Sequence, residues 1–406
     1  MGTRARLRHR RRLKMHRFVC FSLACTLTVS AWAQVRSAKL QNREVWQIES
    51  PQLRVTITQV GGHVAEIVLK GRNAINPLWV QALPTIEPTE FVREKHEKLY
   101  GGGPAARLLS GLVGHNLCFP YWGDPSDSEY QAGMTFHGET GIVRWRKIAE
   151  SQGATGWRIT MAADLPESRT RFTRTISLTA GEPLVYFENR AENLTSLDRP
   201  VGWCEHVTVG PPFLKKGVTL FDASLTRGRN LGDRSEARFE WPTGQAEAVV
   251  DLRTVRDIER SGFVNNFLVD PKGEFGYLTA VNPEQRLLLG YLFRRNEFPW
   301  LNVWEANQPA SSDNPPMLTR GLEFSNTPTH GSFKAMVAVP KLWDVPAFEW
   351  LNARAGLVKK FCAFSTELPD AFRGVQEIRV KDKLLEIVES DNGRVVAIPF
   401  DVSRLR

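Results

Sequence analysis

The sequence predicts an all-β protein, a β-sandwich built from many short antiparallel strands, and three observations support this. From Glu44 onward, short runs rich in Val, Ile, Phe and Trp alternate with polar residues. Gly, Pro, Asn and Asp interrupt these runs at short intervals, as they do in turns. Up to about residue 340, no stretch shows the 3.6-residue period of a long amphipathic helix. Half-buried sheets of this kind bury their apolar faces by packing against each other.

The strand pattern can be followed along the chain. VWQIES and LRVTITQ come first, and the Gly61-Gly62 turn separates them from HVAEIVLKG. Residues 77–109 lack the alternation and predict a loop region. Pro346–Lys360 fits either a short helix or a bent strand. The later apolar runs are WRITMAA, TRTISLT, PLVYFENRAEN, GVTLFDAS, FGYLTAV and LLLGYLF.

The end of the chain predicts a separate three-stranded meander. QEIRVKD, KLLEIVE and RVVAIPF follow Leu368, and Asn392-Gly393 between the last two is a strong hairpin signal. We therefore expect a β-sandwich over residues 34–367 and a small β addition over residues 368–406.

The first 33 residues predict a cleaved signal peptide. Eight Lys and Arg residues lie between Arg4 and Arg17 with no acidic residue among them. The apolar run Phe18–Val29 follows, and Ala31-Trp32-Ala33 resembles a cleavage site. Because the run is shorter than the roughly 20 apolar residues that span a bilayer, cleavage is favoured over a membrane anchor. We expect the mature chain to be periplasmic or extracellular.

The basic charge of the chain comes from this leader. The 406 residues carry a formal net charge of +9, and loss of the eight basic leader residues leaves +1. This balance gives no electrostatic indication of a nucleic-acid partner. Outside the leader, Cys118, Cys204 and Cys362 are too widely spaced for a zinc ribbon or a Cys-x-x-Cys redox site, although an oxidising compartment would permit one disulfide.

Three segments place titratable side chains in strands or next to turns. GWCEHVTVGPPF alternates around His206 and ends at Gly-Pro-Pro, and FHGE carries His137 beside a glycine. In RGLEFSNTP, strand alternation puts Glu323 on the face opposite its two apolar neighbours. Each residue alone is also typical of a buried histidine or a solvent-facing glutamate. Because a carboxylate can accept a proton and imidazoles can donate one, we predict that the three meet over one pocket.

Two further interpretations stay open. Ser110–Gly123 places His115 and Trp122 among aromatics and glycines, which is typical of a pocket wall and equally of a sandwich core. Nitrogen and oxygen ligands for a metal are also present, but without tight spacing, so this is a weaker alternative. The sequence shows no nucleophile elbow and no phosphate loop, and it indicates no cofactor. The candidate metal ligands are His115, His137, Glu139, Glu205 and His206.

Four motifs together resemble the aldose 1-epimerase, or galactose mutarotase-like, superfamily. They are Gly61-Gly62 followed by HVAEI, His137-Gly138 followed by Trp145, EHVTVGPPF, and Leu322-Glu323, spread over about residues 45–345. The resemblance implies a β-supersandwich with a sugar pocket on one sheet. It also implies that Glu323 takes the proton from the anomeric hydroxyl, that His206 protonates the ring oxygen, and that His137 hydrogen-bonds the sugar.

The resemblance further implies that the partner is a small-molecule carbohydrate. The sugar-binding aspartate of the family would fall near Val264, where this chain has two asparagines instead. That departure leaves open a carbohydrate-binding protein without catalysis, or a metal-dependent or lyase-type sugar enzyme. The predicted substrate-binding residues offer aromatic faces, amides or a ring nitrogen: Trp122, Trp145, Trp203, Asn265, Asn266 and His115.

Overall fold

The computed structural model describes residues 1–2, 35–71, 74–153, 155–231, 236–311 and 315–406. Apart from Met1 and Gly2, the predicted signal peptide lies outside the described residues. Within them, no helix has both the length and the apolar character needed to cross a membrane.

Strands are the main secondary structure of the described chain. In order they are β1 (Arg36–Leu40), β2 (Arg43–Glu49), β3 (Leu53–Thr58), β4 (Val64–Leu69), β5 (His115–Cys118), β6 (Arg146–Gln152), β7 (Gly156–Leu165), β8 (Thr170–Thr179), β9 (Leu184–Asn193), β10 (Arg199–Val201), β11 (Cys204–Val209), β12 (Leu220–Ala223), β13 (Leu225–Asn230), β14 (Phe239–Glu240), β15 (Thr243–Gln245), β16 (Val249–Asp251), β17 (Ser261–Val269), β18 (Phe275–Asn282), β19 (Leu287–Arg294), β20 (Trp300–Gln308), β21 (Met317–Ser325), β22 (Lys341–Leu342), β23 (Val345–Pro346), β24 (Glu349–Leu351), β25 (Gly356–Glu367), β26 (Val375–Lys381), β27 (Leu384–Glu389) and β28 (Val395–Pro399). The helices are short: α1 (Arg93–Tyr100), α2 (Ala106–Leu109), α3 (Asp127–Gln131), α4 (Phe333–Val337), and 3₁₀ turns at Pro88–Glu90 and Val402–Leu405.

Two large antiparallel sheets carry the fold. One has eleven strands in the order β1-β2-β3-β4-β5-β11-β21-β20-β17-β13-β14. The other has eight, in the order β12-β18-β19-β25-β9-β8-β7-β6. This confirms the predicted all-β sandwich.

The main core lies between these sheets and follows strand alternation. Val207 of β11 and Leu322 and Phe324 of β21 point into it from the larger sheet, and Phe187 and Phe361 meet them from the smaller one. Burial of each such side chain stabilises the fold by roughly 1.5–3 kcal/mol. The residues between them in sequence, including His206 and Glu323, therefore lie on the opposite face of the eleven-stranded sheet, which we call the site face.

The end of the chain forms the predicted meander. β26, β27 and β28 make a three-stranded sheet, and Gly393 has the positive φ of 70° that its turn requires. The apolar side chains Leu385, Ile387 and Ile398 pack on the eight-stranded sheet in a second core cluster. Pro346–Lys360 consists of strand and turn, not helix, whereas 77–109 contains α1 and α2, which the sequence interpretation missed.

Candidate functional site

A row of six polar side chains crosses the site face. Each lies directly opposite the next on a neighbouring strand, from β5 through β11, β21, β20 and β17 to β13. Directly opposed residues share one face of a sheet, so these side chains line up about 5 Å apart. All six are at most 5% exposed. The members of this polar row are Asn116, His206, Glu323, Asn302, Asn266 and Arg229.

His206 and Glu323 form a direct pair at the centre of the row. Nε2 of His206 lies 2.8 Å from Oε1 of Glu323, and Nδ1 lies 3.2 Å from the hydroxyl of Thr208. Because an ionised carboxylate only accepts, Nε2 carries the proton in this contact. The second carboxylate oxygen, Oε2, is buried and has no hydrogen-bond partner among the described residues. The pair therefore has one free acceptor, Oε2 of Glu323, next to one donor, the Nε2–H of His206.

His137 reaches the same place from a loop. Its ring centroid lies 5.2 Å from that of His206, and its Nδ1 accepts a hydrogen bond of 3.0 Å from the backbone N–H of Gly123. The backbone of His137 has the uncommon positive φ of 65°, a strained conformation for a non-glycine residue. Gly138 follows at φ 79°, where a Cβ would overlap the carbonyl of Phe119. The predicted trio therefore comes together on the site face.

Burial lowers the pKa of His137 well below its usual value, and the nearby His206 and His330 lower it further. The neutral ring then has its proton on Nε2, because Nδ1 is already an acceptor. His137 is a hydrogen-bond donor, not a cation, at neutral pH.

His330 belongs to the same cluster and was missed by the sequence interpretation. Its ring lies 4.6 Å from Trp122 and 5.8 Å from His137, and it is more exposed than either. Burial lowers the pKa of His330, and the negative charges of Glu323 and Asp124, which raise it, only partly offset the effect of burial. The dipeptide His330-Gly331 repeats His137-Gly138, and this was the signal available in the sequence.

Trp304 is a second residue that the sequence interpretation missed. It lies opposite Gly321 on the site face, with its ring 5.6 Å from that of His206, and its indole nitrogen has no partner among the described residues. A Cβ at Gly321 would overlap that nitrogen. The glycine therefore lets the indole lie flat against β21 beside the His206–Glu323 pair.

We expect Gly321→Ala to destabilise the fold by about 1–3 kcal/mol, because the new methyl group forces the indole of Trp304 away. Urea unfolding measures the effect. Gly262→Ala is the matched control, since Gly262 is on β17 of the same sheet and its nearest atom would be the Glu305 carbonyl oxygen at 3.7 Å. Equal unfolding free energies for the two variants would contradict this account of Gly321.

The three predicted tryptophans lie in different places. Trp122 is on the site side, against Cys118, Cys204 and His330. Trp145 and Trp203 are in the core between the sheets, where both contact Phe172. Their prediction as sugar-stacking residues is corrected, because their faces are covered by apolar side chains.

Two other predicted binding residues also face away from the site. His115 is fully buried between the sheets, with Nε2 2.8 Å from Glu205 and Nδ1 3.3 Å from the Tyr291 hydroxyl. The side chain of Asn265 exchanges hydrogen bonds of 2.9 Å with the backbone of Gln245. Asn266, one residue later, faces the site and donates to Asn302 at 2.6 Å. Strand alternation explains the split within the Asn265-Asn266 pair.

The predicted alternative metal ligands do not converge. His115 and Glu205 point into the core, whereas His137 and His206 lie on the site face. Glu139 accepts backbone hydrogen bonds of 2.8 Å from Glu167 and Ser168. Across the described ranges, no group of three or more His, Cys, Asp or Glu side chains is placed to hold a metal ion.

The buried histidines predict a pH dependence of folding. Below the unfolded pKa near 6.5, His137 is protonated in the unfolded chain but resists protonation when folded, so acid favours unfolding. His63 and His115, whose pKa values burial also lowers, act in the same direction. We expect each to remove up to about 1.4 kcal/mol per pH unit below 6.5.

Urea unfolding from about pH 7.5 to about pH 5.5 checks this expectation. The His137→Asn variant should show a shallower dependence, since asparagine tolerates a positive φ and does not titrate. An unchanged wild-type midpoint across that range would contradict it.

No protein-family model matches the sequence, and no curated protein matches it at the sequence level. The solved structure of a candidate aldose 1-epimerase from Klebsiella pneumoniae is similar with a TM-score of 0.59 and 13% identity, over 82% of each chain. A galactose mutarotase-like protein from Clostridium acetobutylicum gives a TM-score of 0.52 at 11% identity, over 83% of this chain and 99% of that one.

A galactose mutarotase related enzyme from Lactobacillus acidophilus is also similar, with a TM-score of 0.52 at 11% identity over 80% of this chain and 98% of that one. Identities this low show the fold alone, and the predicted resemblance is confirmed at that level. The chain has the β-sandwich fold of the aldose 1-epimerase and galactose mutarotase-like proteins.

Proposed function

We propose that this protein acts on a carbohydrate, interconverting sugar anomers without a cofactor. The observation that carries the proposal is the His206–Glu323 pair, held at 2.8 Å on the site face of a mutarotase-like sandwich and joined by His137. The three residues come from a loop and two strands far apart in the sequence, and the fold brings them together.

The chemistry uses one acceptor and two donors. Oε2 of Glu323 takes the proton of the anomeric hydroxyl, and His206, acting as an imidazolium, transfers its Nε2 proton from the contact with Glu323 to the ring oxygen and is left as the neutral imidazole. The C1–O5 bond of the ring breaks, the aldehyde carbon rotates, and closure from its other face gives the opposite anomer. The neutral His137 donates a hydrogen bond from Nε2 to a sugar oxygen. Both proton transfers reverse in the closing step, so the enzyme ends in its starting protonation state.

Burial helps this arrangement. His206 and Glu323 are 5% and 2% exposed, so little water competes for the Nε2 proton or for the carboxylate oxygens. In such surroundings hydrogen bonds and charges interact more strongly than in water. Trp304 lies beside the pair and provides apolar surface of the kind that lines sugar sites, and Trp122 packs against the neighbouring His330.

Polarimetry on a panel of freshly dissolved aldoses tests the proposal. Mutarotation also occurs spontaneously, so the expected result is a rate that rises in proportion to enzyme concentration above the buffer rate. No acceleration for any sugar of the panel would count against an anomer-converting enzyme.

A second candidate function is carbohydrate binding without catalysis. It is favoured by Asn266 and Asn302, amides that stand in the polar row near the position where the resemblance implies an aspartate. Their free atoms, Oδ1 of Asn266 and Nδ2 of Asn302, can bind sugar hydroxyls but supply no acid or base. This function predicts saturable sugar binding by calorimetry together with an unaccelerated mutarotation rate.

We also propose that the protein is exported. The basic and apolar order of the first 33 residues supports this. An intact-mass measurement on protein recovered from cells is expected to place the mature N terminus at Gln34, and retention of the leader in all compartments would contradict it.

A further inference from the structure

Cys118 and Cys204 form an unassigned thiol pair next to the site. They lie directly opposite each other on the neighbouring antiparallel strands β5 and β11, and both are fully buried. On the site face, the Cys118–Cys204 pair lies next to the facing pair of Asn116 and His206 in the polar row. Together with Trp122 they form a small apolar cluster of their own.

The geometry of this pair fits a cross-link. Directly opposed residues of antiparallel strands have Cα atoms about 4.5–5.5 Å apart, and disulfides bridge Cα atoms about 4.4–6.8 Å apart. Both side chains leave the sheet on the same side, as a bridge requires. The third described cysteine, Cys362, is on β25 of the other sheet and packs in the cluster beneath the C-terminal meander.

We infer that Cys118 and Cys204 form a cross-strand disulfide when the chain folds in an oxidising compartment. The bridge joins β5 to β11 beneath Trp122, whose indole contacts His330. It would therefore fix the spacing of the two strands that carry Asn116 and His206. The inference rests on the proposed export and does not depend on the sugar chemistry.

The oxidation balances with a low-molecular-weight disulfide such as glutathione disulfide as oxidant. One cysteine thiolate attacks the oxidant, releasing one glutathione thiol and forming a mixed disulfide. The second cysteine displaces the remaining glutathione, so one S–S bond forms in the protein and one breaks in the oxidant. The two protons and two electrons of the cysteines end on the two glutathione molecules.

The order of events follows from burial. In the folded protein, burial raises the pKa of both thiols, that of Cys204 well above its usual value. The reactive thiolate is therefore scarce once the sheet has formed. The bridge is made while β5 and β11 are still accessible during folding.

The full chain, unfolded and reduced, tests this when it is refolded in a buffer of reduced and oxidised glutathione. Free thiols are then blocked with N-ethylmaleimide in denaturant, and unreduced peptides are mapped by mass spectrometry. We expect one linked peptide pair containing Cys118 and Cys204, with both labelled at least about tenfold less than Cys362. The leader cysteines map to a separate peptide.

Two variants keep the result interpretable. Cys362→Ser should leave the linked pair intact, and Cys118→Ser should restore full labelling of Cys204. The inference is overturned when Cys118 and Cys204 of the refolded wild type are labelled as completely as Cys362. A linkage that joins Cys362 to either of them overturns it equally.

Because refolding is done in glutathione buffer, the result of this experiment does not depend on whether the protein is exported or whether it turns over a sugar.

Discussion

Glu323→Gln is expected to lower kcat/KM for anomer interconversion by about 10²- to 10⁴-fold. Glutamine has nearly the same shape as glutamate, so it fills the same space on β21 and can still hydrogen-bond His206 across 2.8 Å. It has no basic oxygen with which to take the anomeric proton. His206→Ala should lower the rate as well, since it removes the donor for the ring oxygen.

Polarimetry with the spontaneous rate subtracted measures both variants. Glu284→Gln is the matched control, because Glu284 is half exposed and pairs with Lys215 at 2.7 Å, outside the polar row. The control should keep the wild-type rate. If Glu323→Gln and His206→Ala both stay within about tenfold of the wild type, the acid–base assignment is wrong.

The fold was predictable because it follows from the alternation of core-facing apolar residues and outward-facing residues along the strands. Val207 and Val209 on β11 and Leu322 and Phe324 on β21 are apolar core residues at alternate positions, and this alternation placed Glu323 on the face opposite Leu322 and Phe324. The C-terminal hairpin was predictable for a similar reason, since Asn392-Gly393 specifies the turn. The helices in 77–109 were missed because the longest, α1, has eight residues and little apolar periodicity.

The site was only partly predictable, because sequence spacing does not reveal which strands are neighbours. His206 and Glu323 were chosen by type, but their contact depends on β11 pairing with β21. Asn302 joins them only because β20 pairs with β21 on its other side. Trp203, just before β11, and Trp304, on β20, look alike in the sequence, and only the structure shows that one lies in the core and the other on the site face. The same strand alternation places Asn266 on the site face and Asn265 on the opposite face, but the sequence does not show which face is which.

Glu205→Ala is expected to destabilise the protein by about 3–5 kcal/mol, the largest stability effect that the structure predicts. Glu205 is fully buried between the sheets and accepts hydrogen bonds from Arg174 at 2.9 Å, Asn189 at 2.9 Å and Trp203 at 3.0 Å. Burial alone would raise the pKa of Glu205, but Arg174, with His115 and Trp203, outweighs burial and holds the pKa below its usual value. Loss of the carboxylate leaves the guanidinium of Arg174 buried without its counter-charge.

Urea unfolding measures the change, and two comparisons isolate its cause. Glu284→Ala removes a glutamate from an ion pair of 2.7 Å whose side chains are more than half exposed, and it should change the unfolding free energy by no more than about 0.5 kcal/mol. The double variant Arg174→Met/Glu205→Leu removes both buried charges and should be more stable than Glu205→Ala alone. A Glu205→Ala protein that unfolds at the wild-type midpoint would mean that Arg174 finds another partner or water. The buried network would then not be what holds β8 and β9 against β11 beneath the His206–Glu323 pair.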